Sequence, residues 1–272
     1  MISVLNNVSS LVAENALSST QANLQSTLTE LSTGLKLNSG AEDPAGISIS
    51  DGLGANIAAL TQSSQNASNG VGLLQTADGA LSQVTNLLNQ AVTIATEASN
   101  GGLTTDQATA ANTEFQSILS EITQIGSTTN FNGVAVFSGT AQTVFTSDGT
   151  SSGATTTSTT TGALSASSLS LSSDSLTSTT AAQTALTDVT AAIATVAATR
   201  GSIGASVNQL TADSNVENTE VSNLTSAQNN VRNADIGTTV ANMTQYNVLE
   251  QTGMAALSQS NSAQQSVLKL LQ

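Results

Sequence analysis

The chain has 272 residues, of which four are Lys or Arg and 18 are Asp or Glu, giving a formal net charge of −14. Nucleic acids and anionic membrane surfaces are recognised by clustered basic residues, so this charge argues against both as partners. His and Cys are absent, which excludes the common catalytic triads and zinc sites, and we expect neither an enzyme nor a bound cofactor or metal.

The first predicted helix covers residues 1–38 and has apolar residues at helical spacing. They are Leu5, Val8, Val12, Leu17, Leu24, Leu28, Leu31 and Leu35. The helix is expected to break at Asn38, Ser39 and Gly40. Asp43 followed by Pro44 then predicts a new helix start, because Asp caps free backbone N–H groups and Pro is tolerated at the first helical position.

A long second helix is predicted from Pro44 to about Asn100, where two glycines stop it. Its apolar ladder is formed by Ile57, Leu60, Ala67, Val71, Leu74, Leu81, Leu88, Val92 and Ala95. Steps of three and four keep such residues on one side of a helix, which is the pattern of rods packed along their length.

A third helix is predicted after Thr105 and Asp106, with apolar positions again in steps of three and four. They are Ala111, Phe115, Ile118, Ile122 and Ile125. Residues 130–133 then indicate a turn into a strand over residues 134–137, and residues 143–145 are expected to continue a hairpin.

From about Thr146 to Thr180 the composition shifts to Ser, Thr, Gly and Ala. The stretch has little apolar area to bury, so we predict an outward-facing segment. Its fold stays open between a small β element and an ordered loop, since Leu169, Leu171 and Leu176 alternate only weakly.

Two further helices follow. The first has a ladder of alternating three- and four-residue steps, with apolar members Leu186, Val189, Ile193, Val196, Ile203, Val207, Leu210, Val221, Leu224 and Val231. Position 217 of that ladder is Glu217, which we interpret with Glu220 as a capping or solvated pair. After a break at residues 233–235, the last helix is assigned seam positions 236, 240, 243, 247, 250, 254, 257, 261, 264, 268 and 271.

Both ends of the chain therefore carry amphipathic helices, and isolated amphipathic helices are marginal in water. The simplest partner for each is the opposite terminus together with neighbouring copies. No run of 18 apolar residues is present, so no membrane span is expected. The first residues lack the basic and apolar regions of a cleaved signal peptide, so export would use another route. The lack of Cys is compatible with export.

Residues 31–50, LSTGLKLNSGAEDPAGISIS, are very similar to the N-terminal motif of bacterial flagellins. The similarity continues through residues 66–81, NASNGVGLLQTADGAL. Near the other end, RGSIGA at residues 200–205, NADI at 233–236 and QSVLKLL at 265–271 resemble the flagellin C-terminal region. These stretches lie in the family's order at both ends of the chain, so the chain resembles a flagellin.

The resemblance implies a mainly α fold of long antiparallel helical rods, with a coiled-coil-like inner domain, a helical-bundle shell, a small β-hairpin and a short Ser/Thr-rich outer segment. Residues 1–40 and 233–272 would form the inner filament-core domain. Residues 41–140 and 181–232 would form the rod domain, and residues 141–180 the variable outer segment.

The resemblance also implies a secreted subunit that polymerises with itself into the flagellar filament for swimming. The flagellar export apparatus, an export chaperone and the filament cap would be its other partners. The expected polymerisation interface consists of Leu5, Val8, Val12, Leu24, Leu28, Leu31, Leu35, Ile236, Val240, Met243, Met254, Leu257, Leu268 and Leu271.

In stimulatory flagellins, the helix that binds the animal toll-like receptor for flagellins has a sequence similar to Leu-Gln-Arg-x-Arg-Glu-Leu-Ala. The matching stretch here is degenerate: Gln90 and Val92 stand at the two arginine positions and Thr93 replaces the glutamate, while Leu88 and Ile94 stay apolar. Arg offers five donors that Gln does not match. We therefore expect weak receptor recognition.

Two alternatives stay open. A hook–filament junction protein is related to flagellin at its termini, and a coiled-coil adaptor would form stable dimers instead of fibres. Long, uniform tubes in negative-stain micrographs would indicate a flagellin.

Overall fold

The structure is a computed structural model that describes residues 7–150 and 155–270, without the side chains of residues 155, 159 and 267–270. The described part contains five helices and four short strands. They are α1 (Val8–Thr33), α2 (Pro44–Ala98), α3 (Thr105–Thr128), β1 (Asn130–Phe131), β2 (Val134–Ala135), β3 (Gln142–Thr146), β4 (Thr155–Thr159), α4 (Thr179–Arg232) and α5 (Ile236–Leu270). The predicted mainly α fold with a small antiparallel β element is confirmed. Within these residues, none of the helices has the length and apolarity needed to span a bilayer.

The chain forms two compact units. Unit 1 consists of Met1–Ala55 and Asn223–Gln272, and unit 2 consists of Asn56–Ser222. Unit 2 contains nearly all of the hydrophobic core.

In unit 1, α1 and α5 pack against each other along their length. They are antiparallel, because Asn7 donates to the carbonyl of Ser260 near one end and Gln21 donates to the Glu250 carboxylate further along. The α1 face turned towards α5 includes Leu17, Leu24 and Thr27, which are less exposed than their neighbours. The two helices bury a narrow face on each other and leave the rest of their surfaces open.

The seam of α5 differs from the predicted one at every other step. Positions 243, 250, 257 and 264 are partly buried as predicted, but the other seam positions that alternate with them are 239, 246, 253 and 260. The predicted positions 240, 247, 254 and 261 are exposed. A Cβ at Gly253 would lie 3.4 Å from Leu17 Cδ1, so Gly253 lets the two helices approach closely there.

In unit 2, α2 and α4 are antiparallel: Asp78 pairs with Arg200, and Ser64 is hydrogen-bonded to Ser214. From position 60 onward the buried positions of α2 advance strictly in steps of three and four, at 60, 63, 67, 70, 74, 77, 81, 84, 88, 91, 95 and 98. The ladder predicted for α4 is confirmed at Val189, Val196, Ile203 and Leu210, all of which are buried. Regular seams of this kind are typical of rods packed side by side.

Helix α3 begins with a capping box, in which the Thr104 hydroxyl accepts from the Gln107 N–H and the Gln107 side chain accepts from the Thr104 N–H. Its predicted apolar face is confirmed, since Phe115, Ile118 and Ile122 are buried in the core. The helix thereby adds a third layer to unit 2.

The four strands form two separate antiparallel pairs. Strands β1 and β2 make a tight hairpin through Asn132 and Gly133, both with positive φ. Strand β3, which was expected to continue that hairpin, instead pairs with β4 over five residues. The Ser/Thr-rich stretch therefore begins with a β element.

The expectation that residues 146–180 have little apolar area to bury is wrong for their second half. Leu164, Leu169, Leu171 and Leu176 are all buried in the core of unit 2. This segment runs antiparallel along α3, whose side chains bind its backbone: Asn112 accepts from the Leu176 N–H, Gln116 donates to the Asp174 carbonyl and Thr123 accepts from the Ala166 N–H. Four leucines spaced along a polar coil supply enough apolar surface to close the core.

Exposed helix faces carry Ser and Thr hydroxyls that are bonded within their own helix. In each of the five helices a Thr hydroxyl donates to the carbonyl four residues earlier, for example Thr20, Thr61, Thr109, Thr187 and Thr244. Uncharged groups thus cover surfaces that usually carry charge.

Candidate functional site

The ends of the two unit 1 helices are fixed where the chain enters and leaves them. Helix α1 is capped at its start by Asn7, whose side chain accepts from the Ser10 N–H, and at its end by Gly34 with φ of 71°. Just beyond, the Lys36 N–H donates to the Arg232 carbonyl at 2.7 Å, and the Ala234 N–H donates to the Gly34 carbonyl at 3.0 Å. These bonds hold the start of α5 beside the end of α1.

The residues predicted for a polymerisation interface divide into two groups. Leu24, Leu31, Leu35, Met243 and Leu257 are partly buried within unit 1. The others that the structure describes are exposed: Val8, Val12, Leu28, Ile236, Val240 and Met254. Leu5 and Leu271 lie outside the described residues, as does the side chain of Leu268.

Three further exposed apolar residues were missed by the sequence analysis, namely Leu11, Val248 and Leu249. Their signal was present as further apolar residues in the two helices, but each helix was assigned one apolar stripe only. Together with the exposed group they form the terminal apolar surface, defined as Val8, Leu11, Val12, Leu28, Ile236, Val240, Val248, Leu249 and Met254. Large apolar side chains left exposed on helices that are already paired are typical of sites of protein association.

The stretch that matches the receptor-binding helix lies in α2. Leu88 is fully buried in the core, and Val92 and Ile94 are partly buried against it. Gln90 and Thr93 are exposed, and the Thr93 hydroxyl is bonded to the Asn89 carbonyl. The surface offered by this stretch is therefore small and uncharged.

Charged side chains are sparse, and Arg200 with Asp78 is the one ion pair among the side chains that the structure describes. The Nε–Oδ1 distance is 2.7 Å, and the hydrogen bond from Arg200 lowers the pKa of Asp78. Both side chains are more than a third exposed, so solvent screens the pair and its contribution to stability is small. The pair joins α2 to α4 at the surface, while their buried seam carries most of the packing energy.

The carboxylate of Asp174 is 8% exposed. It lies in residues 164–176, which we call the leucine-bearing segment, beside α3. Its Oδ2 has no hydrogen-bond partner, and burial together with neighbouring Asp188 raises the pKa of Asp174. The folded state thus favours the protonated carboxyl. That stabilisation is fully present below the unfolded pKa of about 3.9 and is lost as pH rises through the folded-state pKa.

Asp174→Asn is therefore expected to raise the thermal unfolding midpoint at pH 7 and to leave it unchanged at about pH 2.5, where both states protonate the wild-type carboxyl. Circular dichroism melts of dilute protein at the two pH values measure the difference. Glu114→Gln, at an exposed position in the middle of α3, controls for the loss of one charge. An equal effect of Asp174→Asn at both pH values would contradict the assignment.

Glu217 corrects the interpretation of the Glu217 and Glu220 pair as a capping or solvated face. Glu217 is 7% exposed and its Oε2 has no hydrogen-bond partner. Burial, with Asp213 and Glu220 nearby, raises the pKa of Glu217. The α4 seam continues through position 217, and this carries the carboxylate into a buried place.

Comparison with known proteins gives matches over most of the chain. Residues 4–142 match the family model described as "Bacterial flagellin N-terminal helical region", and residues 186–271 match "Bacterial flagellin C-terminal helical region". A protein named "Flagellin" from Halalkalibacterium halodurans is 34% identical over 249 residues, which is 91% of each chain.

"Flagellin 1" of Proteus mirabilis is 39% identical over 140 residues, covering 51% of this chain and 38% of that protein. The crystal structure of Bacillus cereus flagellin is similar at 27% identity and a TM-score of 0.49, covering 56% of this chain and 88% of that one.

Proposed function

Because the chain belongs to the bacterial flagellin family, whose members build the flagellar filament, we propose that its terminal apolar surface is the main contact between filament subunits. The chain itself is a structural subunit that polymerises into this filament. The hook–filament junction and adaptor alternatives are not favoured, since its relatives carry the name flagellin.

One observation supports the proposed contact more than any other. Val8, Leu11 and Val12 on α1 are each more than half exposed although α1 is already paired with α5. Burying an apolar side chain of this size contributes about 1.5–3 kcal/mol. Several such residues per subunit, repeated along a polymer, hold each subunit against its neighbours.

Purified protein tests the function directly. Monomer released by heat or acid and returned to neutral buffer with filament fragments is expected to give long, uniform tubes in negative-stain micrographs. Dimers or amorphous aggregate in place of tubes would contradict a filament subunit.

We propose that residues 1–40 and 233–272 form the inner filament-core domain, residues 41–140 and 181–232 the rod domain, and residues 141–180 the outer segment. Support comes from α1 and α5, which pair with each other and bear the terminal apolar surface. Cysteine labelling at exposed Ser19 and at exposed Thr160 tests the arrangement. In assembled filaments a maleimide reagent should reach the introduced thiol at position 160 and leave that at position 19 unreacted.

Export is proposed to occur through the flagellar export apparatus, with a chaperone and the filament cap as further partners and without cleavage of a signal peptide. The family membership supports this route. Subunits from filaments sheared from cells are expected to have an intact mass that includes the full N-terminal sequence. A mass that lacks 15–30 N-terminal residues would contradict uncleaved export.

Weak activation of the animal toll-like receptor for flagellins is the expected result for purified monomer. Gln90 and Thr93 are uncharged at positions where stimulatory flagellins have Arg and Glu, and Leu88 is buried. Loss of one Arg anchor typically costs about 2 kcal/mol, or roughly thirtyfold in affinity. A reporter-cell dose response measures this, and restoring both arginines and the glutamate (Gln90→Arg, Val92→Arg, Thr93→Glu) is the matched gain-of-function control. Potency of the unmodified chain equal to that of the restored variant would contradict the prediction.

A further inference from the structure

An acidic groove in unit 2 is separate from the terminal apolar surface. It has a volume of about 300 Å³ and is lined by Leu60, Thr146, Ser147, Asp148, Asp213, Val216, Glu217 and Glu220. Four of these eight residues are acidic. Asp213, Glu217 and Glu220 come from α4, and Asp148 comes from the loop after β3.

Glu217 is the buried member of this groove, and its Oε2 has neither a donor nor a cation beside it. Three other carboxylates face the same groove, and two of them, Asp213 and Glu220, act electrostatically on Glu217. A buried carboxylate without a partner is costly, and like charges nearby increase that cost. The cost is relieved when Glu217 takes up a proton or when a positive group enters the groove.

Positive groups are scarce in this chain, which has four basic residues. Arg200 is paired with Asp78, and the side chain of Lys269 lies outside the described residues. Lys36 and Arg232 make no ion pair within residues 7–150 and 155–270. They are neighbours through the bond from the Lys36 N–H to the Arg232 carbonyl, and we call them the basic pair.

We propose that the acidic groove of one copy receives the basic pair of a second copy in the filament. This inference rests on the proposed function, because it requires polymerisation. A helical polymer is built from a head-to-tail contact, in which two different surfaces of the same chain are complementary. The acidic groove in unit 2 and the basic pair in unit 1 have that complementarity of charge.

A free divalent cation fits the groove less well. Among the described residues, no three His, Cys, Asp or Glu side chains are grouped closely enough to hold a metal ion. Asp148 is also already engaged, since its Oδ1 accepts from both the N–H and the hydroxyl of Thr150. A long basic side chain reaches Glu217 from the groove mouth without needing ligands on all sides.

The test is a double-mutant cycle read as the critical concentration for filament growth from seeds. Glu217→Gln removes the buried charge, Lys36→Gln with Arg232→Gln removes the basic pair, and a third protein carries all three changes. Glu97→Gln, at an exposed position of α2, is the control for net charge. Melting of dilute monomer is measured for each protein to separate folding from assembly.

Glu217→Gln is expected to raise the critical concentration by about tenfold or more while raising the monomer's unfolding midpoint, because the isolated charge is unfavourable before assembly. The basic-pair variant should show a similar loss of assembly. The critical concentration of the triple variant should be no higher than the higher of the values for Glu217→Gln and the basic-pair variant. Glu97→Gln should assemble as the wild type does.

Three outcomes would overturn the inference while leaving the filament function intact. The first is a critical concentration of Glu217→Gln equal to that of Glu97→Gln, and the second is a triple variant whose loss of assembly is the product of the two separate losses. The third is a basic-pair variant that assembles normally, together with a chelator that raises the critical concentration of the wild type as Glu217→Gln does. The last result would identify a divalent cation as the occupant. Failure of the wild-type protein to form filaments would instead contradict the proposed function itself, and this inference with it.

Discussion

Replacing Val12 with Asp is expected to abolish filament formation. Val12 is 63% exposed in the isolated chain and belongs to the terminal apolar surface. On assembly its position would become buried without a cationic partner, which costs several kcal/mol per subunit. A loss of that size raises the critical concentration by about a hundredfold or more.

The measurement is sedimentation of seeded filaments over a range of protein concentrations. Gln25→Glu adds the same charge at another exposed position of α1 without changing side-chain shape, and it should assemble close to normally. Val12→Thr, which keeps the shape without the charge, should fall between the two. Dilute monomer of Val12→Asp should keep the wild-type unfolding of unit 2, since residue 12 belongs to unit 1. Normal assembly of Val12→Asp would show that this surface is not a subunit contact.

Gly126→Ala is expected to destabilise unit 2 strongly although it adds a single methyl group. A Cβ at position 126 would lie 1.8 Å from the Leu164 carbonyl oxygen, a backbone atom. The leucine-bearing segment and α3 would have to separate, which we expect to cost about 2–4 kcal/mol. For a unit of this size the unfolding midpoint should fall by roughly 5–15 °C.

Gly79→Ala is the matched control, because Gly79 is also helical but a Cβ there meets no atom within 4 Å. Ala is favoured over Gly in a helix by about 1 kcal/mol, so this variant should melt at or above the wild-type temperature. Similar melting temperatures for the two variants would mean that the segment does not pack tightly on α3.

The helical ladders were predictable because burial repeats with the period of the helix. In α2 and α4 the seam residues are mostly Ala, Leu, Val and Ile, so a spacing of three and four is visible without the structure. The same reasoning located the apolar face of α3 through Phe115 and Ile122. In a long seam, single polar residues such as Ser63 and Glu217 do not hide the spacing of the apolar ones.

The α5 seam was harder to predict because its true positions are not apolar. Thr239, Tyr246, Gly253 and Ser260 lie on the face towards α1, while Val240 and Met254 are exposed. A helix with apolar residues on several faces gives no unique stripe, so spacing alone does not tell which face packs within the chain. For the same reason Leu11, Val248 and Leu249 were missed.

The partner of β3 and the packing of residues 164–176 depend on contacts distant in sequence. The pairing of residues 142–146 with 155–159 joins two polar segments that carry almost no alternation of apolar residues. The four leucines after them are recognisable as core only once α3 lies beside them. Glu217 was placed on the seam by its spacing but interpreted by its charge, and spacing proved the better guide.

The hydroxyl-covered helix faces have a consequence for the medium in which a filament of this protein works. A Thr hydroxyl that already donates to its own helix holds water less firmly than a carboxylate or an ammonium group, so two such faces come together with little dehydration cost. Dissolved ions also have little to screen on them. Contacts between such faces should therefore change little between fresh water and brine, whereas contacts that use the 18 acidic residues of each subunit should weaken as ionic strength rises.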